Sequence, residues 1–174
     1  GAAALSIKEP AEIGKNHGVY RVDGEGNVGG FLHKKTVEQL QKLGASDDQG
    51  NVDIDTGAVI FNSEMLQALY QLVDTKEKFA AYVNESTRLS FYADFLYPLA
   101  SDSTLEQYYK ETPEGDFTPE LEQCRTELWS VLHPYQMKLI RMSPAAFIHF
   151  GTTKELRHLM TEGMEQFVYL GWNS

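Results

Sequence analysis

Two runs of β-favouring apolar residues, GVYRV (18–22) and VGGFLH (28–33), flank the acidic, glycine-bearing DGEGN (23–27), which is the pattern of a β-hairpin. TVEQLQKLG (36–44) then predicts a short helix with Val37, Leu40 and Leu43 on one side and Gly44 as its stop. After a polar loop at 45–51, VDIDTGAVIFN (52–62) alternates and then runs continuously apolar at AVIF, predicting a strand whose later part is buried on both faces. Asn62 or Ser63 caps the next helix, in which Leu66, Leu69, Tyr70 and Val73 recur at the spacing of one helical face.

A second helical stretch is expected around 76–84, and Tyr92, Phe95, Leu96 and Leu99 share a helical face in RLSFYADFLYPLA (88–100), with Pro98 marking a kink or an end. Thr118-Pro119 supplies a cap and a first-turn proline for a helix striped by Leu121, Cys124, Leu128 and Val131. QMKLIRM (136–142) and AFIHF (146–150) read as extended, 152–162 as a capped helix and FVYLGW (167–172) as a strand. Mixed strands and helices without an internal repeat predict one α/β domain over 1–174, built around a buried sheet. A strand at the very end suggests that the natural protein continues, and Gly1 without methionine reads as a processing scar.

Composition narrows the class. With 42% hydrophobic and 23% charged residues the chain is an ordinary globular one, and no apolar run is long enough to cross a bilayer. A net charge of −10, with scattered lysines and arginines, argues against broad binding to nucleic acid. The single cysteine, Cys124, excludes an internal disulfide and fits a reducing cytoplasm. The five histidines lack the spacing of a zinc site, and neither a G-x-S-x-G elbow nor a P-loop nor G-x-G-x-x-G occurs.

Three places remain for chemistry. Lys34 and Lys35 follow a predicted strand, where an ammonium can meet a phosphate or simply stand in water. Asp53 and Asp55 share one side of their strand; they either hold Mg²⁺ together with phosphate oxygens or form the wet face of an edge strand, with Gly57 permitting close backbone approach beyond them. In FIHFGTTKELRHLM (147–160), Gly151 permits a turn and Thr152 with Glu155 forms a capping box, so the helix start there offers either an anion site or only good capping, with His149 at its mouth.

In order, NHGVYRVDGEGNVGGFLHKKTVEQL (16–40), DIDTGAVIFNSEMLQALY (53–70), SFYADFLYPLA (90–100) and FIHFGTTKELRHLM (147–160) resemble segments of the GDP-L-fucose pyrophosphorylase family. That family is also called L-fucose-1-phosphate guanylyltransferase and is fused to an L-fucokinase in bifunctional members. The resemblance implies a partial nucleotide-diphospho-sugar transferase-like fold, a mixed sheet flanked by helices. It implies attack of L-fucose 1-phosphate on the α-phosphorus of GTP, with Mg²⁺ expected in the full enzyme. Lys34 in FLHKKT is similar to the lysine of the E-K-P or H-K-P element of sugar nucleotidyltransferases, although Lys35 stands where proline is expected, and this assigns it to sugar phosphate. DTGAVIF (55–61) resembles the strand passing the sugar pocket, which brings Asp55 and Gly57 to that site. HFGTT (149–153) resembles the D-x-G-T element, with His149 in place of the aspartate and Gly151 and Thr152 retained.

No counterpart of the superfamily's glycine-rich nucleotide loop occurs in these residues, so the chain resembles the sugar-side part of a larger enzyme, inactive alone and in contact with the remaining parts of its parent. Two other readings stand beside it. One is a non-catalytic carbohydrate- or protein-binding module; the other is a nucleotidyltransferase for another sugar 1-phosphate.

Overall fold

Ala2–Pro10 (β1), Gly18–Val22 (β2), Val28–His33 (β3), Asn51–Phe61 (β4) and Met137–Arg141 (β5) form a sheet of order β3-β2-β4-β1-β5 in the computed structural model. It describes every residue except Phe147, His149, Phe150 and Trp172–Ser174. β1 runs parallel to β5 and every other pairing is antiparallel, so the sheet is mixed. Flanking helices complete the α/β architecture expected from the sequence. The chain divides into two compact units, Gly1–Pro144 and Ala145–Ser174, and the sheet belongs to the first.

Alternation along the strands builds two apolar layers. On one side Val19, Val52 and Ile54 meet Ala11–Gly14 (α1) and Val37–Lys42 (α2), whose buried anchor is Leu40. A methyl on Gly14 would stand 2.6 Å from Val52 Cγ2, so glycine is what lets α1 lie this close to the sheet. On the other side Ala2, Ala4, Tyr20, Val28 and Met137 join a cluster with Met65 of Ser63–Tyr70 (α3) and Tyr82 of Lys76–Tyr82 (α4). Leu128 and Leu132 of Pro119–Leu132 (α6), which follows the short helix Leu105–Lys110 (α5), complete that layer with Leu96 and Leu99. Cys124 packs there too, its thiol pushed up to about 11 by burial, which makes it an inert space-filler.

The hairpin stands at the expected residues. Its turn is organised by Asp23, whose carboxylate accepts from the backbone of Glu25 (2.8 Å) and Asn27 (2.9 Å), from Asn27 Nδ2 (3.0 Å) and from Ser101 Oγ (2.8 Å). The Asn27 side-chain amide, followed by these other donors, holds the carboxyl well below the usual carboxylate range. A lowered folded value means that this stabilisation is complete above the ordinary aspartate value of about 3.9 and is lost as pH falls through the folded one. Asp23→Asn is therefore expected to flatten the acid limb of the stability profile, measured by urea unfolding between about pH 2 and 5.

Several expectations are corrected. The doubly buried part of β4 is VDID, not AVIF, because β2 pairs with β4 only at Ile54 and Asp53 and leaves Gly57–Phe61 with β1 alone. β4 is thus central, and its aspartates do not face water from an edge. In α3 the buried residue is Met65, while Leu66 and Tyr70 are 49% and 66% exposed. FVYL is not a strand: the chain continues from Thr153–His158 (α7) through a wider turn into a 3₁₀ segment, Met164–Leu170, kinked at Phe167 (φ −120°, ψ 19°). Trp172 and most of AFIHF lie outside the described residues. β1 was not anticipated, since AAALSIKEP is rich in alanine and its strand character comes from pairing on both sides. Among the described residues no helix is long and apolar enough to cross a membrane.

Candidate functional site

Where β4 passes Asp55 the sheet is interrupted. Between the pairs Ser6–Asp55 and Ala4–Val59, one residue of β1, Leu5, opposes three of β4, Thr56, Gly57 and Ala58. Gly57 adopts φ +76°, which an L side chain resists, and its N–H donates to Asp55 Oδ1 at 2.9 Å. Thr56 Oγ1 closes the other side on Leu5 O at 2.8 Å. A bulge of this kind re-aims the strand and frees backbone near a carboxylate, an arrangement found beside binding sites. The buried Asp55 also accepts from Tyr20 Oη at 2.7 Å. Burial first, then the Asp55 charge, pushes the Tyr20 phenol far above its ordinary value, so it stays a proton donor.

An aromatic wall stands over this carboxylate. Phe31 of β3 tilts against Tyr20 (5.5 Å) and stacks on Tyr92 at 5.0 Å with planes 7° apart; His33 stacks further out at 6.4 Å. Tyr92 and Phe91 open the π-helical turn Phe91–Leu96 and meet edge to face at 5.6 Å. The Tyr92 phenol is raised by burial and then by the charge and hydrogen bonding of Asp55, which places it beside the carboxylate. This wide turn is fixed from behind: Asp94, fully buried, pairs with fully buried Arg125 of α6 at 2.7 Å and accepts from Ser90 N at 2.6 Å. Sequence reasoning placed Tyr92 on a core face and missed Arg125, although an arginine beside Cys124 and Leu128 in an apolar stripe was the available signal.

Lys34 lies two strands from Asp55. Gly18 of β2 pairs with His33 of β3, and a Cβ on Gly18 would be 3.4 Å from that of Asp55, so the row Asp55, Gly18, His33 spans about 10 Å at two strand spacings. Lys34 follows at once, its N–H bonded to His17 O at 3.2 Å and its φ at +48°. A non-glycine residue held there costs about 1–3 kcal/mol, strain that concentrates at functional sites. Among the described residues no carboxylate pairs with the exposed Lys34 ammonium, whereas the charge of Lys35 acts on Glu111.

Asp53 is spent differently. Arg141 grips it through Nε (2.7 Å) and Nη2 (2.9 Å), Lys8 Nζ stands 3.4 Å away and Ser6 Oγ donates at 3.4 Å. In the second unit, Thr152 caps α7 as expected. The N–H groups of Gly151 (3.0 Å) and Thr152 (2.9 Å) and the Thr152 hydroxyl (2.9 Å) all donate to Glu155 Oε2. The donors this turn offers to an anion are thus taken by the chain's own carboxylate. His149 lies outside the described residues.

Comparison with protein-family models matches the whole chain, residues 1–174, to the fucose pyrophosphorylase domain. The chain belongs to the fucose pyrophosphorylase family. Searches of curated proteins and of solved structures returned no match. This membership supports a function related to that of GDP-fucose pyrophosphorylase. Mg²⁺ does not fit the two aspartates of this domain as a pair: Asp53 has both oxygens on Arg141 and Lys8, and no group of three ligating side chains occurs among the described residues.

Proposed function

We propose that this fucose pyrophosphorylase domain is the sugar-side part of an enzyme that makes GDP-L-fucose and pyrophosphate from GTP and L-fucose 1-phosphate in the cytoplasm. A phosphate oxygen of the sugar attacks the α-phosphorus of GTP, and pyrophosphate leaves. Chemistry of this kind is largely a matter of positioning and charge neutralisation. The observation that carries the reading is a strained Lys34, without a carboxylate partner among the described residues, set two strands from the bulge carboxylate Asp55. Lys34 takes the sugar phosphate; Asp55 accepts from sugar hydroxyls, and the backbone at Gly57 lets the ring come close. Mg²⁺ enters this reading only with the phosphates of the nucleotide.

Titration calorimetry with L-fucose 1-phosphate tests it. Lys34→Ala is expected to weaken binding about 10- to 100-fold, the worth of one charge-assisted hydrogen bond of about 1.5–3 kcal/mol. Lys34→Gly is expected to lose binding equally while melting no lower than wild type, because glycine accepts φ +48° without the side-chain penalty. Undiminished binding by both variants would remove Lys34 from the site.

A further inference from the structure

We infer that the corner formed by Phe91 and Tyr92 selects the sugar by its C6 methyl group, favouring a 6-deoxyhexose 1-phosphate over the same sugar bearing a C6 hydroxyl. The inference rests on the sugar-side reading above and adds the residues that read the sugar. Fucose differs from galactose of the same hand only in that C6–OH is replaced by C6–H, so an enzyme of this family must tell a methyl from a hydroxymethyl. Asp55 cannot do so: as an acceptor it rewards a further hydroxyl rather than rejecting it.

The two rings supply what Asp55 lacks. Phe91 and Tyr92 are 39% and 38% exposed, an open apolar surface on residues that are otherwise anchored. Their planes meet at 71°, which makes a re-entrant corner rather than a flat patch. Behind the corner Tyr92 stacks on Phe31 and Phe91 tilts against Phe61 (6.5 Å), and the turn that carries both is pinned by the Asp94–Arg125 pair. A methyl seated there loses water at no polar cost, while a hydroxyl in the same place gives up a hydrogen bond to water and finds ring carbon. The Tyr92 phenol, beside Asp55, sets the corner against the part of the site that receives the remaining hydroxyls.

An apolar surface rejects an added hydroxyl by at most about 100-fold, so the expected preference of the wild-type chain for L-fucose 1-phosphate over L-galactose 1-phosphate is about 10- to 100-fold. The experiment is calorimetric titration of wild type, Lys34→Ala, Phe91→Ala and Tyr92→Leu with both sugars, each variant first checked for a wild-type circular dichroism spectrum. Phe91→Ala and Tyr92→Leu are expected to bring the ratio of affinities towards one, chiefly by weakening L-fucose 1-phosphate, and Lys34→Ala to weaken both sugars without changing their ratio. Lys34-dependent binding with equal affinity for the two sugars, or a preference that survives both ring variants, overturns this inference alone. Absence of any binding by folded wild type overturns the sugar-side reading and this inference with it. Equal affinity of the wild type for the two sugars overturns the inference without any variant.

Discussion

Arg125→Ala is expected to cost about 3–5 kcal/mol, much of the stability of a domain this size, because it leaves a buried carboxylate without its counter-charge. Both partners of the Asp94–Arg125 pair are fully buried. Arg125 Nη1 also donates to Tyr108 O (3.1 Å) and Glu111 O (2.9 Å), and the guanidinium lies between the rings of Tyr108 (5.4 Å) and Phe117 (5.7 Å). The Tyr108 hydroxyl returns to Asp94 O at 2.8 Å. One side chain thus ties α6 to the turn bearing Phe91 and Tyr92 and to the chain leaving α5. Urea unfolding of Arg125→Ala, Asp94→Leu and the double variant Asp94→Leu/Arg125→Met measures the coupling. The double variant is expected to be more stable than Arg125→Ala, since no charge is then left buried. A loss below about 1 kcal/mol in Arg125→Ala would mean that water reaches Asp94.

The same variant carries a pH signature. Burial raises the Glu111 carboxyl above its ordinary range, and Arg125 followed by Lys35 partly offsets this. A raised acid binds its proton more tightly in the folded chain, so stability falls as pH rises from the ordinary value of about 4.3 through the folded one. Removing Arg125 lifts the folded value further and widens that window upward. Arg125→Ala is accordingly expected to lose more stability at pH 7 than at pH 5, relative to wild type.

Legibility in the sequence followed the range of the interactions. The hairpin, the helices near 36–44 and 76–84, the helices capped at Asn62 and Thr118, and β4 follow from signals within a few residues, and the structure has them there. What was hidden depends on partners far along the chain. β1 is a strand because β4 and β5 lie on either side of it, and Asp53 is buried because Arg141, 88 residues away, neutralises it. Leu66 and Tyr70 satisfy helical periodicity yet stay open, since α3 turns Met65 inward instead. Lys34 and Asp55 were singled out from the sequence as candidates, but their spatial relation was not legible, because it needs the β2 row between them. The aromatic wall joins Phe31 to Tyr92 across 61 positions, and no local pattern announces it.

Asp55→Ala is the second large effect, and it separates support from recognition. The change orphans the buried Tyr20 hydroxyl and frees the Gly57 N–H that holds the bulge, at an expected cost of about 1–3 kcal/mol. Adding Tyr20→Phe removes the orphan, so the double variant is expected to recover part of that loss in urea unfolding. Binding should not recover with it. Two sugar hydroxyls bonded to a carboxylate together account for about 100-fold or more in affinity, and neither variant restores the acceptor. Asp55→Asn sharpens the distinction: its amide oxygen still accepts from Gly57 and Tyr20, so the bulge should stand, but the charge that strengthens bonds from sugar hydroxyls is gone. Near wild-type stability with clearly weakened L-fucose 1-phosphate binding is the expected outcome. Unchanged binding in Asp55→Asn would make Asp55 a strut for the bulge and move sugar recognition to the aromatic corner and Lys34.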